Sequence, residues 1–224
     1  MNSFKWLRFF VVVITVYATQ TGATVIGFSN CTSDGTISCA VTNTPPNPVV
    51  VDTNDGVLLV WDEVQNYTLL NDLAVDRVFD PGASFISGGP GNYFIAAGTV
   101  VSSHYVQWEP LGSEIATANA TIDFDSQIFA FITSDQKLFD SDIVLGKPGV
   151  NYNNFTNRGI EPGDTTDFNG NSTDISWLAG SPGDWSRLIT AYSPTVDVPE
   201  PASTMFLGLS VLGFSTWRKR SLKL

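Results

Sequence analysis

Positive charge is scarce along most of this 224-residue sequence. Of its 11 Lys and Arg, only Arg77, Lys137, Lys147, Arg158 and Arg187 lie between residues 24 and 200, where all 22 Asp and Glu are found. That stretch therefore has a formal charge of 5 − 22 = −17. A surface of this sign repels phosphate backbones and excludes nucleic acid as a partner, leaving divalent cations and neutral polymers. Cysteine is nearly absent: Cys31 and Cys39 are the only two, with no CxxC or Cys/His spacing that would point to zinc. Histidine occurs once, as His104, and no G-x-S-x-G elbow accompanies it, so the sequence gives no support for a serine hydrolase. Internal repeats and long linkers are also missing, which favours one domain between the two ends.

The ends carry what apolar length there is. Lys5 and Arg8 precede the run Phe9-Phe10-Val11-Val12-Val13-Ile14-Thr15-Val16-Tyr17-Ala18, and small residues follow at Thr21-Gly22-Ala23. A basic start, a short apolar core and a small-residue exit read as a secretory signal peptide over residues 1–23, with cleavage after Ala23 or, alternatively, Ala18. At the far end, Val198-Pro199-Glu200-Pro201 leads into an apolar stretch from Ala202 to Trp217, and Arg218-Lys219-Arg220 closes it. As a helix that stretch would rise roughly 24 Å, somewhat under a hydrocarbon layer of about 30 Å, so it spans only with snorkelling or local thinning. The positive-inside rule keeps the basic cluster in the cytoplasm and the bulk of the chain outside. Pro199 and Pro201 hold the tripeptide extended and accessible just beyond the membrane.

Pro-Glu-Pro, a short apolar helix and a terminal basic cluster, in that order, resemble the PEP-CTERM sorting domain, and the likeness covers residues 198–224. The resemblance implies an exosortase that reads Val198, Pro199, Glu200 and Pro201, and a precursor anchored in the inner membrane before release to the cell surface or beyond. Signal peptidase is the second processing partner, and exopolysaccharide of a biofilm or matrix is the implied surrounding.

Residues 24–197 read as one acidic β-domain. Short β-branched or aromatic runs bounded by Gly, Pro, Asn and Asp fall at 24–28, 36–41, 57–64, 84–86, 93–95, 99–108, 118–124, 127–133, 174–178 and 185–192. Their density predicts an all-β fold, an antiparallel, jelly-roll-like β-sandwich. One short helix is expected over 134–145, capped by Ser134 and ended by Gly146, as a lid or crossover. Cys31 and Cys39 flank Ser33-Asp34-Gly35, so in an oxidising compartment they form a disulfide clipping a hairpin.

Candidate chemistry is thin. The loop from Glu161 to Asp174 gathers hard oxygen ligands, and Asp164, Asp167, Asn169, Asn171 and Asp174 form a candidate calcium set, although the EF-hand pattern fails at Ser172 and Leu178. A solvated acidic loop is the alternative. Asp123 with Asp125, or Asp62, Glu63 and Glu109 near tryptophans, could serve glycoside hydrolysis, and Trp61, Trp108, Trp177 and Trp185 could stack on sugars. None falls in a glycosidase signature. The expected function is thus a non-enzymatic exported surface or matrix protein, with a secreted carbohydrate-binding or carbohydrate-active β-sandwich as the competing class.

Overall fold

The computed structural model describes residues 24–33, 38–49, 56–112, 115–152, 158–180 and 183–192. The expected signal peptide, the Pro-Glu-Pro motif, the apolar stretch and the basic cluster lie outside them. Fourteen strands and one helix make up the described part. Strands β1 (Val25–Ser33), β10 (Ala116–Phe124), β13 (Ser172–Ala179) and β12 (Thr165–Asn169) form a four-stranded sheet in that order. A seven-stranded sheet runs β2 (Ser38–Val41), β3 (Val57–Asp62), β9 (Val100–Glu109), β14 (Asp184–Ala191), β11 (Ile128–Ile132) and β6 (Arg77–Val78), with β4 (Tyr67–Thr68) also paired to β9. A small third sheet has the order β5 (Leu73–Val75), β8 (Asn92–Ile95) and β7 (Ile86–Gly89).

The seven-stranded sheet is buried on both faces, and its sequence shows why. Along β3, Leu58 and Val60 enter one core while Leu59 and Trp61 enter another. The side-chain period of two sends neighbours to opposite faces, and here both faces are apolar. The first core lies between this sheet and the four-stranded one: Val106, Trp108, Phe131 and Leu188 meet Ala120, Ile122, Phe124, Ile175 and Trp177. On the opposite face Trp61, Val101, Tyr105, Trp185 and Ile189 pack under the small sheet and under helix α1 (Asp135–Leu145). The expected two-layer packing is present, but a third layer covers the face that a simple sandwich leaves wet. Every pairing is antiparallel except β2 with β3, which run parallel.

Three local expectations need correction. Helix α1 starts at Asp135, and the Ser134 side chain makes no capping bond. The cap comes from Asp76, whose carboxylate accepts from the Thr133 and Ser134 amides at 2.7 and 2.9 Å. Nor is α1 a lid, since Leu138, Ser141 and Leu145 are buried against the seven-stranded sheet. The cysteines are linked, Cys31 to Cys39 with Cα atoms 6.1 Å apart, but they do not clip a hairpin. β1 pairs with β10 and β2 pairs with β3, so the disulfide joins two different sheets.

Candidate functional site

The hairpin β12–β13 replaces the acidic loop expected from sequence. Asp167 and Asn169 lie on β12, Asp174 lies on β13, and Gly170 with Asn171 forms the turn. Thr166 faces inward with no exposure and donates no charge to the surface, whereas Asp167 and Asn169 point outward. This in-out alternation was the available strand signal, obscured by the polar composition. Asp167 stands directly opposite Asp174, an arrangement of like charges that disfavours pairing unless each is offset. Arg77 lies 3.4 Å from Asp167, and Thr121 donates to Asp174 at 2.6 Å. The Arg77 pair is exposed and contributes little to stability. Asp164 turns elsewhere, accepting from the amides of Glu161 and Leu178 at 2.9 and 2.7 Å. The five candidate calcium ligands are therefore distributed along a hairpin instead of around a point.

What the structure brings together is Asp164 with Glu161 and Asp184, each of which offers one carboxylate oxygen within 4.8 Å of the other two. Sequence reasoning named only Asp164 of the three. Glu161 was inside the acidic stretch, but Asp184 opens β14, one residue ahead of the strand expected at 185–192, and nothing local marks it. Two glycines permit the approach. Gly159 (φ +101°) and Gly183 (φ +96°) occupy the left-handed region, and a Cβ on either would sit 2.3 Å from the carbonyl of Thr133 or Trp108. Gly159 accepts from the Trp185 amide at 3.0 Å, which ties the segment carrying Glu161 to the strand carrying Asp184. Asp184 is fully buried, and neither of its oxygens accepts from an amide, a hydroxyl or a basic side chain; its polar neighbours are the Glu161 and Asp164 carboxyls. Burial first, then Glu161 and Asp164, pushes its carboxyl up to about 9. Two ionised carboxylates at such a separation repel by roughly 3.5 kcal/mol at an effective dielectric of about 20.

A second polar group is buried beneath α1. Glu63 makes a two-point contact with Arg187, whose Nε and Nη2 donate at 2.6 and 2.7 Å. Arg187 also donates to Asp142 at 3.1 Å and to the Leu138 carbonyl and Ser141 hydroxyl. Arg158 completes the set, donating to both Asp142 oxygens and, at 2.8 Å, to Tyr105 Oη. Two carboxylates thus face two guanidiniums, and the group is formally neutral. Burial pushes the Tyr105 phenol up to about 12, against the pull of Arg158 and Arg187. These groups answer one another and hold α1 to the sheet, with only Asp142 partly exposed.

His104 has Asp62 at 2.7 Å on Nδ1 and the Thr190 hydroxyl at 3.0 Å on Nε2. The order carboxylate, imidazole, hydroxyl resembles a nucleophilic triad, but His104 and Thr190 have no exposure, and Phe124 packs on the imidazole with ring centroids 4.8 Å apart. A substrate carbonyl has no route to that hydroxyl in this packing. Asp123 accepts from Ser172 at 2.6 Å, and Asp125 accepts from the Thr24 amide and Ser126 hydroxyl, each at 3.1 Å. Trp61, Trp108, Trp177 and Trp185 are at most 2% exposed, so none offers a ring face to a sugar.

No helix among the described residues is long and apolar enough to cross a membrane. No curated protein and no solved structure matches the chain. Residues 197–220 match the PEP-CTERM protein-sorting motif, a span that takes in Val198, Pro199, Glu200 and Pro201 as well as Arg218, Lys219 and Arg220. The motif implies an exported chain, anchored as a precursor and sorted by an exosortase.

Proposed function

We propose that this chain is a bacterial surface or extracellular-matrix protein whose acidic β-rich body acts without catalysis, associated with exopolysaccharide. The match at residues 197–220 carries the sorting part of this reading. The body's role is supported by what its chemistry is used for. The single histidine and the four tryptophans of the sheets are core residues, and the paired guanidiniums and carboxylates beneath α1 neutralise one another. The excess of carboxylates over basic groups between residues 24 and 200 suits a hydrated neutral polymer and repels other polyanions. The jelly-roll-like sandwich belongs to the same proposal, as the rigid core that displays this surface. Signal peptidase would remove residues 1–23, and the exosortase would act near Pro199-Glu200-Pro201.

Intact-mass measurement of the surface-exposed form, in an exosortase-bearing host and in the same host lacking the enzyme, tests the assignment. The expected result is loss of Arg218–Leu224 only where the exosortase is present. A surface form that keeps Arg218–Leu224 in both hosts would sink exosortase processing and leave a plain C-terminal anchor.

A further inference from the structure

We propose that Glu161, Asp164 and Asp184 form a calcium-binding site. The three residues approach from different parts of the chain: Glu161 and Asp164 from the turn before β12, and Asp184 from the start of β14. They are graded in depth, with Glu161 exposed, Asp164 half-buried and Asp184 fully buried. That gradient gives a cation a way in and a dry floor to rest on.

The group needs a positive partner that the described residues do not provide. No Lys or Arg among the described residues ion-pairs with any of the three. Asp184 is the decisive member, because both of its oxygens are buried without a donor, a state that a structural carboxylate avoids. The oxygens of Asp164 accept the amides of Glu161 and Leu178, which fixes its position. Three carboxylates supply up to six oxygens, and hard oxygen donors alone select Ca²⁺ or Mg²⁺ over softer metals. Calcium fits better than magnesium, since it accepts irregular geometry and bidentate carboxylates, whereas magnesium holds its water shell. An open groove of about 620 Å³, lined by Ile115, Thr117, Ser176 and Leu178 along with Glu161 and Asp164, leaves room for the waters that complete the shell. The rival arrangement is a proton shared between Glu161 and Asp184, with no cation.

The test uses the full chain in detergent, stripped with chelator and titrated with CaCl₂ or with MgCl₂ at matched ionic strength, read by calorimetry and thermal unfolding. Calcium in hundredfold excess over its Kd should raise Tm by roughly 5–10 °C, saturably, with magnesium far weaker. Asp184→Asn should abolish the saturable response. Glu161→Gln, at an exposed position where folding is not at stake, should weaken calcium binding about tenfold or more. A response equal for the two metals and unchanged in Glu161→Gln would overturn the site in favour of general screening of an acidic surface. Absence of any calcium response in the wild-type chain would overturn it in favour of the shared proton.

Discussion

Arg187 is fully buried, and the only thing that makes this tolerable is the company it keeps. An isolated guanidinium moved out of water costs several kcal/mol even after relaxation, and Glu63, Asp142, Ser141 and the Leu138 carbonyl offset that cost. Removing one member should therefore hurt more than removing a pair. Arg187→Met leaves Glu63 buried without its cation, and should lower unfolding stability by roughly 3–5 kcal/mol. Glu63→Leu combined with Arg187→Met should recover much of the loss. Denaturant unfolding of the two variants decides it: a single substitution within about 1 kcal/mol of wild type would show that the network does not act as described.

Helix α1 shows the same dependence at the scale of an element. The side chain of its own N-cap residue, Ser134, bonds no helix amide and donates instead to Asp76 at 3.0 Å; the first turn is held by Asp76 from the loop between β5 and β6, with Lys137 donating to the same carboxylate at 2.7 Å. Burial alone would raise the Asp76 pKa, but Lys137 and the Thr133 and Ser134 amides outweigh it and hold the carboxyl below its ordinary value. A depressed folded-state pKa stabilises above the unfolded pKa of about 3.9, and the contribution is lost as pH falls through the depressed value. Asp76→Ala should lower stability by about 2–3 kcal/mol at pH 7. The gap from wild type should narrow on acidification below pH 4. Thermal unfolding across that range checks the sign: a gap that widened in acid would contradict the assignment. The capping role could not be read from sequence, because Ser134 occupies the expected position and Asp76 is 58 residues away.

For the molecule as a whole, the disulfide is placed where two sheets must stay in register. Cys31 lies on β1 of the four-stranded sheet and Cys39 on β2 at the edge of the seven-stranded one. A loop of this length, 8 residues in separation, stabilises by about 2.5 kcal/mol through the unfolded chain. Replacing both cysteines with Ser should lower Tm by roughly 5–10 °C for a domain of this size. Unchanged Tm in the double variant, or in reduced wild type, would show that the link contributes nothing. The high acidic charge raises the value of such a staple, since self-repulsion favours expansion.

The sequence by itself determined the sorting segment, the β-rich class, most strand positions and the single helix, because each is written in contiguous residues: a motif at 197–220, alternating or unbroken apolar runs, and one stretch between Ser134 and Gly146. It misread β12, where Thr166 and Phe168 face inward and Thr165, Asp167 and Asn169 face outward, because four polar residues around one Phe hid a period of two. Only the tertiary structure decided which groups meet. Asp184 reaches Glu161 and Asp164 through two glycine close approaches, Glu63 reaches Arg187 across 124 residues, and Cys31 reaches Cys39 between sheets instead of along a hairpin. Such contacts depend on strand order and on which face of a sheet is covered, and those are settled by the simultaneous burial of two cores, a condition that no local window of residues expresses.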